Sequence, residues 1–125
     1  MDIIEVEKKL EAVKSLTVDL CKMHGIDNVE VCFHSKGRTA GIAYCIPVKV
    51  TYHLHYLLQN YEHFIRTTVF HEVAHLIEWK LYKKMTHGQR WRAIMRGFGF
   101  SEQDINRCHS YKDFNQKGYI EEKGE

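Results

Sequence analysis

Apolar residues recur at helical steps at two places along the chain, with an alternating stretch between them. Ile3, Val6, Leu10, Val13, Thr17 and Leu20 mark one face of an N-terminal helix, which should end at His24-Gly25 because glycine accepts the left-handed conformation of a helix cap. Val29-Glu30-Val31-Cys32-Phe33 alternates as a strand, Ser35-Lys36-Gly37-Arg38 turns, and Ile42 to Ile46 reads as a second strand. Pro47 breaks the pattern before a third strand at Val48 to Tyr52. Ile65, Val69, Phe70, Val73, Ala74, Ile77 and Leu81 then recur at three- and four-residue steps, predicting a helix from about Asn60 to Lys84 with a broad apolar face. A helix from about Gly88 to Arg96 follows, with Thr86 and Gln89 at the spacing of a capping box. Beyond the Gly97-Phe98-Gly99 break, Ser101 can cap a short helix whose positive end Glu102 and Asp104 favour. Gln116 to Glu125 is polar and reads as a frayed tail. A helix, a small three-stranded sheet and further helices make an α+β class, expected as one domain over residues 1–125.

The second apolar helix carries His71-Glu72-Val73-Ala74-His75. Residues four apart on a helix lie one above the other, about 6 Å apart, so both imidazoles reach one metal ion from the same face. Glu72 is rotated about 100° from His71. It stands too far aside to share the ion and close enough to touch a water beside it, which is the position of a general base. The plainer alternative is a buried helix with two core histidines, which leaves Glu72 and the downstream His87 as coincidences. A catalytic zinc takes three protein ligands and keeps a position for water, so a third ligand is required. Glu78 lies about 10 Å along the axis from His71 and cannot close on the same ion. It also occupies the place of the metzincin glycine, and Leu81 that of the metzincin third histidine, which excludes that class. A later glutamate would have to be Glu102. His87, after the basic loop Lys83-Lys84-Met85, is better placed to fold back over the helix.

These motifs resemble the SprT-like zinc metalloproteases, a family that includes bacterial SprT proteins and the catalytic domain of Spartan. The matching residues are His71 through Trp79 and then His87-Gly88-Gln89-Arg90-Trp91. Gly37 to Tyr44 is similar to the family's first sheet segment, and Leu54 to Asn60 to the segment leading into its active-site helix; the likeness runs from about Val29 to Tyr111. It implies a minimal zincin-like fold, one zinc ion per chain on His71, His75 and His87, and Glu72 as the catalytic residue. It also implies polypeptide substrates bound or crosslinked to DNA. Bacterial members often carry a cysteine-rich zinc ribbon and Spartan has long extensions; neither is present in these 125 residues.

Composition narrows the setting. No apolar run approaches the roughly 20 residues that span a membrane, and Met1-Asp2-Ile3-Ile4-Glu5 is unlike a signal peptide, so a soluble, cytoplasmic protein is expected. Cys21, Cys32, Cys45 and Cys108 form no Cys-x-x-Cys pair and read as buried free thiols of a reducing compartment. The formal net charge is only +2, but Lys80, Lys83, Lys84, Arg90, Arg92 and Arg96 follow one another with no acidic residue among them. Such a strip can sit on phosphates, with Trp79 or Trp91 stacking on a base; the competing reading is a solvated face over core tryptophans. His24, His34, His53, His55, His63 and His109 are isolated and are not assigned as ligands. The chemistry expected is zinc-assisted peptide hydrolysis with Glu72 as base, a substrate strand added along Gly41 to Ile46, and Tyr44 as a candidate oxyanion donor. Two alternatives are a non-catalytic zinc-stabilised DNA-binding or adaptor protein and a metal-dependent nuclease; an intact Glu72 speaks against the first, and the histidine spacing against the second.

Overall fold

The computed structural model describes residues 2–107. Cys108, His109 and the tail from Gln116 lie outside the described residues. Helix α1, Ile3–Met23, begins where Asp2 Oδ1 accepts from the Glu5 N–H at 2.8 Å and ends before Gly25, whose φ of 76° is the left-handed value expected of a terminating glycine. The strands are β1, Glu30–His34, β2, Gly41–Cys45, and β3, Val48–His53. The turn at Ile46 and Pro47 folds β2 back on β3 as a hairpin, with Cys45 opposite Val48. Strand β1 pairs on the other side of β3 in parallel, giving the order β1-β3-β2 and leaving β2 at an edge.

Paired residues share a face of a sheet. Val31, Phe33, Val50 and Tyr52 therefore face the same side as Gly41 and Ala43, and this side packs on the helices. The opposite side carries His34, Thr51 and His53. Helices α2, Leu54–Gln59, and α3, Tyr61–His63, lead into a π turn at Phe64–Thr68 and then α4, Val69–Tyr82. The single helix expected from about Asn60 to Lys84 is thus interrupted by a widened turn. The extra residue keeps Phe64, Thr68 and Val69 all buried, a local phase change that an apolar periodicity averages away. Helix α5, Gln89–Gly97, follows, and Ser101 Oγ accepts from the Asp104 N–H at 3.1 Å to cap the helical segment at 102–107.

The expected capping box at Thr86 and Gln89 does not form. The N-cap of α5 is Gly88: the Glu78 carboxyl group accepts the Thr86 N–H that the Gln89 side chain would have taken, and Thr86 Oγ1, which donates to Glu78, accepts from the Gly88 N–H rather than from the Gln89 N–H. The thiols also divide. Cys21 is buried, and burial pushes its pKa up to about 11, whereas Cys32 and Cys45 are only half-buried; all three are free. No helix among the described residues is long and apolar enough to cross a membrane.

One buried polar pair locks α1 to the sheet. Thr17 donates its hydroxyl proton to the Val13 carbonyl at 2.8 Å, so at 2.7 Å from Tyr52 it accepts from the phenol. Burial raises the pKa of Tyr52 well above the ordinary phenol range, which keeps that donor protonated. Tyr52→Phe should therefore cost about 1 kcal/mol in chemical denaturation, the worth of one hydrogen bond. Thr17→Val strands the buried phenol and should cost more, about 1–3 kcal/mol. The double variant should lose less than the sum of the two; strict additivity would show that the pair is not coupled.

Candidate metal centre

Helix α4 runs buried along most of its length, with Val69, Val73, Leu76 and Ile77 in the main core and Ala74 in a second cluster with Trp91, Met95 and Ile105. Packing on both sides fixes the rotation of the helix, and with it the direction of His71 and His75. Their ring centroids are 5.0 Å apart, as the four-residue spacing requires. The chain leaves α4 through Lys83, a left-handed residue at φ 60°, and returns so that His87 stands 5.0 Å from His71 and 4.7 Å from His75, centroid to centroid. The Nε2 atoms of His71 and His87 are 3.0 Å apart, and one ring nitrogen of each of the three histidines lies within 4.8 Å of the others. Two nitrogens held about 2.1 Å from one tetrahedral ion are about 3.4 Å apart, so the cluster has the right size for a single ion. Three imidazoles without carboxylates suit zinc or another first-row transition metal rather than magnesium or calcium.

The floor of this cluster is Trp91, which is fully buried. Its ring is 4.8 Å from His71, 5.6 Å from His75 in a stacked arrangement and 4.9 Å from His87, and its Nε1 donates to the His71 carbonyl at 3.3 Å. Trp91 is therefore core, and base stacking by this residue is set aside. Glu72 is 6% exposed and lies against the sheet edge: a Cβ built on Gly41 would meet its Cγ at 2.9 Å and its Oε2 at 3.0 Å. Only glycine at 41 lets this carboxylate and the β2 backbone approach so closely. The loop entering β2 is itself tied down. His34 bonds Thr51 Oγ1 at 2.6 Å and the Thr39 carbonyl at 3.2 Å, and His53 reaches the Gly37 carbonyl at 3.1 Å while stacking on Tyr56 at 4.0 Å. Burial lowers the pKa of both rings, which favours their neutral forms.

The chain is matched over residues 13–110 by the model of the SprT-like family. It belongs to that family. Among SprT-like relatives, Protein SprT of Pseudomonas putida strain W619 is 40% identical over 85 residues, which are 66% of this chain and 51% of the relative. Protein SprT of Pseudomonas entomophila strain L48 is 39% identical over 85 residues, again 66% and 51%. Protein SprT of Pseudomonas syringae pv. syringae strain B728a is 40% identical over 83 residues, 65% and 49%. The chain spans about half the length of the curated relatives it matches. No solved structure matches it.

The remaining residues singled out in this SprT-like chain fall in different places. Glu102, the alternative third ligand, is ion-paired with Arg96 and, at 3.1 Å, with Arg92; those hydrogen bonds hold its carboxyl below the usual range, and it is absent from the histidine cluster. Tyr44 is two fifths exposed, with Lys49 Nζ 4.7 Å from its ring centre. Strand alternation turns it to the sheet face opposite the one on which Gly41 meets Glu72. The basic strip is split. Lys80 donates to the Gly25 carbonyl at 2.6 Å, and Arg92 and Arg96 serve Glu102. Lys83 lies over Trp79 at 5.5 Å and Arg90 over Tyr82 at 4.0 Å, with Lys84 exposed beside them. Sequence reasoning named Gly41 only as the start of a substrate-pairing strand and Trp91 only as a motif residue and candidate stacking ring; it missed their contacts with Glu72 and the histidines, and it missed the role of Glu78, whose carboxylate in an apolar helix face was the one available signal of a needed partner.

Titration with Co2+ or Zn2+ should load one ion per chain. His87→Ala should weaken binding by more than the roughly 10–100-fold that loss of an outer partner costs, and Glu102→Ala should leave it unchanged. The reverse pattern would make Glu102 the ligand.

Proposed function

We propose that this domain is a zinc-dependent endopeptidase acting on proteins bound or crosslinked to DNA. The observation that carries the reading is a buried carboxylate, Glu72, on the residue that follows His71 of a three-imidazole cluster and against the backbone of an edge strand. A purely structural metal site has no use for that group. Zinc, when bound by His71, His75 and His87, would supply Lewis acidity that polarises a carbonyl and lowers the pKa of a water molecule toward about 7. Glu72 takes the proton of the attacking water and returns it to the leaving amine nitrogen. Strand β2 has its outer edge open among the described residues, so an extended substrate pairs there through main-chain hydrogen bonds with little side-chain selectivity. The close approach at Gly41 brings such a strand beside Glu72. Trp91 and the second core behind it hold the imidazoles from the far side.

The DNA-directed part rests on family membership and on the cations left by the internal pairings: Lys83, Lys84 and Arg90, with Trp79 and Tyr82 among them. Phosphates meet the charges, and the half-exposed rings offer stacking faces.

Glu72→Gln keeps size and shape but cannot accept a proton. Zinc content and folding should survive, while cleavage of a DNA-bound protein, followed on gels, falls by about two to four orders of magnitude. Gly41→Ala should also keep zinc and reduce cleavage, on the order of 10²-fold, because its Cβ displaces Glu72. Equal cleavage by wild type and Glu72→Gln removes Glu72 as the base. No cleavage by either, with zinc and DNA present, favours a non-catalytic DNA-binding or adaptor role instead.

Reversing Lys83, Lys84 and Arg90 to glutamate should weaken DNA binding and flatten its salt dependence, by about 0.7–0.9 in log–log slope per lost phosphate contact. Neutralising Arg92 and Arg96, which are paired with Glu102, should do much less. Absence of DNA binding by the wild type at low salt would remove this part of the reading.

A further inference from the structure

We propose that Glu78 is a positioning residue for the third metal ligand: through a two-point grip on Thr86 it fixes the loop that carries His87 before any ion arrives. This rests on reading the three-histidine cluster as a metal centre. Glu78 is seven residues after His71, so it points from nearly the same side of α4 two turns further on. It cannot reach the ion, and at 2% exposure it is also withdrawn from water. A carboxylate in that position requires donors. Both come from Thr86: its N–H at 2.7 Å and its hydroxyl at 2.9 Å.

Thr86 is the residue before His87, and its grip extends past the ligand. Having given its proton to Glu78, the Thr86 hydroxyl accepts from the Gly88 N–H at 3.0 Å. The backbone is thus held on both sides of His87 by one chain of hydrogen bonds that starts at a carboxylate on the helix bearing the other two ligands. A carboxyl group that accepts from the N–H and the hydroxyl of one residue fixes both the position and the direction of that residue. Without these hydrogen bonds the segment between Tyr82 and Gln89 has no regular structure to orient it, and the entropy of ordering it falls on the metal-binding step. Two ligands four apart on a helix come preorganised; the third does not, and Glu78 supplies that preorganisation.

The test is metal affinity and ligand-field spectroscopy on the full chain, using Zn2+ in competition with a chromophoric chelator and the visible bands of bound Co2+. Glu78→Leu and the exposed-site variant Thr86→Val should each weaken Zn2+ binding, Glu78→Leu by about 10–100-fold. The Co2+ spectrum of Glu78→Leu should shift toward that of His87→Ala, which general destabilisation would not produce. Thr86→Ser keeps both donors and should bind like wild type. Glu78→Gln should retain most of the affinity, since its amide oxygen accepts from the Thr86 N–H while its amide nitrogen donates to the hydroxyl. Adding Glu78→Leu to His87→Ala should cost no further affinity, because the role acts through His87. Wild-type affinity in both Glu78→Leu and Thr86→Val, or an equal loss in the His87→Ala background, overturns the proposal. Failure of the wild type itself to bind either ion overturns the metal-centre reading with it.

Discussion

The burial of α4 between two apolar clusters is the constraint on which the rest of the site depends. One side of the helix enters the core formed with α1 and the sheet, and Ala74 on the other side admits Trp91, Met95 and Ile105. A helix gripped on both sides cannot rotate, so the two imidazoles and the carboxylate of its central turn have fixed directions. The cost is that polar groups ride into the interior with it. Glu72, His75 and Glu78 are all nearly inaccessible, and buried polar groups must find partners. Glu78 takes two donors from Thr86, the histidines converge on one another above the indole of Trp91, and Glu72 lies against a strand that carries no side chain at the point of contact.

That last contact links the sheet to the chemistry. Strand β2 starts where His34 and His53, from the ends of β1 and β3, tie down the preceding turn through Thr39 and Gly37. The site is thereby a meeting of three segments, the central helix, the loop after it and the sheet edge, each held by its own hydrogen bonds. The surface charges have a similar division of labour. Arg92 and Arg96 are spent on closing the helical segment at 102–107 onto α5, and Lys80 on the end of α1, so only part of the basic strip is left to face a partner.

Much of this was legible from residue order alone. The N-terminal helix and its Gly25 stop, the three strands, the Ser101 cap and the pairing of His71 with His75 all follow from periods of two or 3.6 residues and from single-residue turn chemistry. The place of His87 after the basic loop, together with the resemblance to SprT-like proteins, pointed to it as the third ligand, and exclusion along the helix axis removed Glu78. These are local properties: they depend on rise per residue and on which side chains lie four apart, and tertiary packing does not alter them.

What tertiary structure decided is wherever one segment chose among partners. A capping-box spacing at Thr86 lost to a carboxylate eight residues earlier, a continuous helix took a widened turn at Phe64–Thr68, and a tyrosine assigned to the site was turned to the far face of its strand. Gly41 and Trp91 became parts of the site only when the sheet edge and α5 were brought against α4. Such outcomes depend on the relative free energies of contacts between residues distant in the chain. A linear pattern specifies which faces must be buried, but not which polar groups those buried faces will bring within hydrogen-bonding distance of one another.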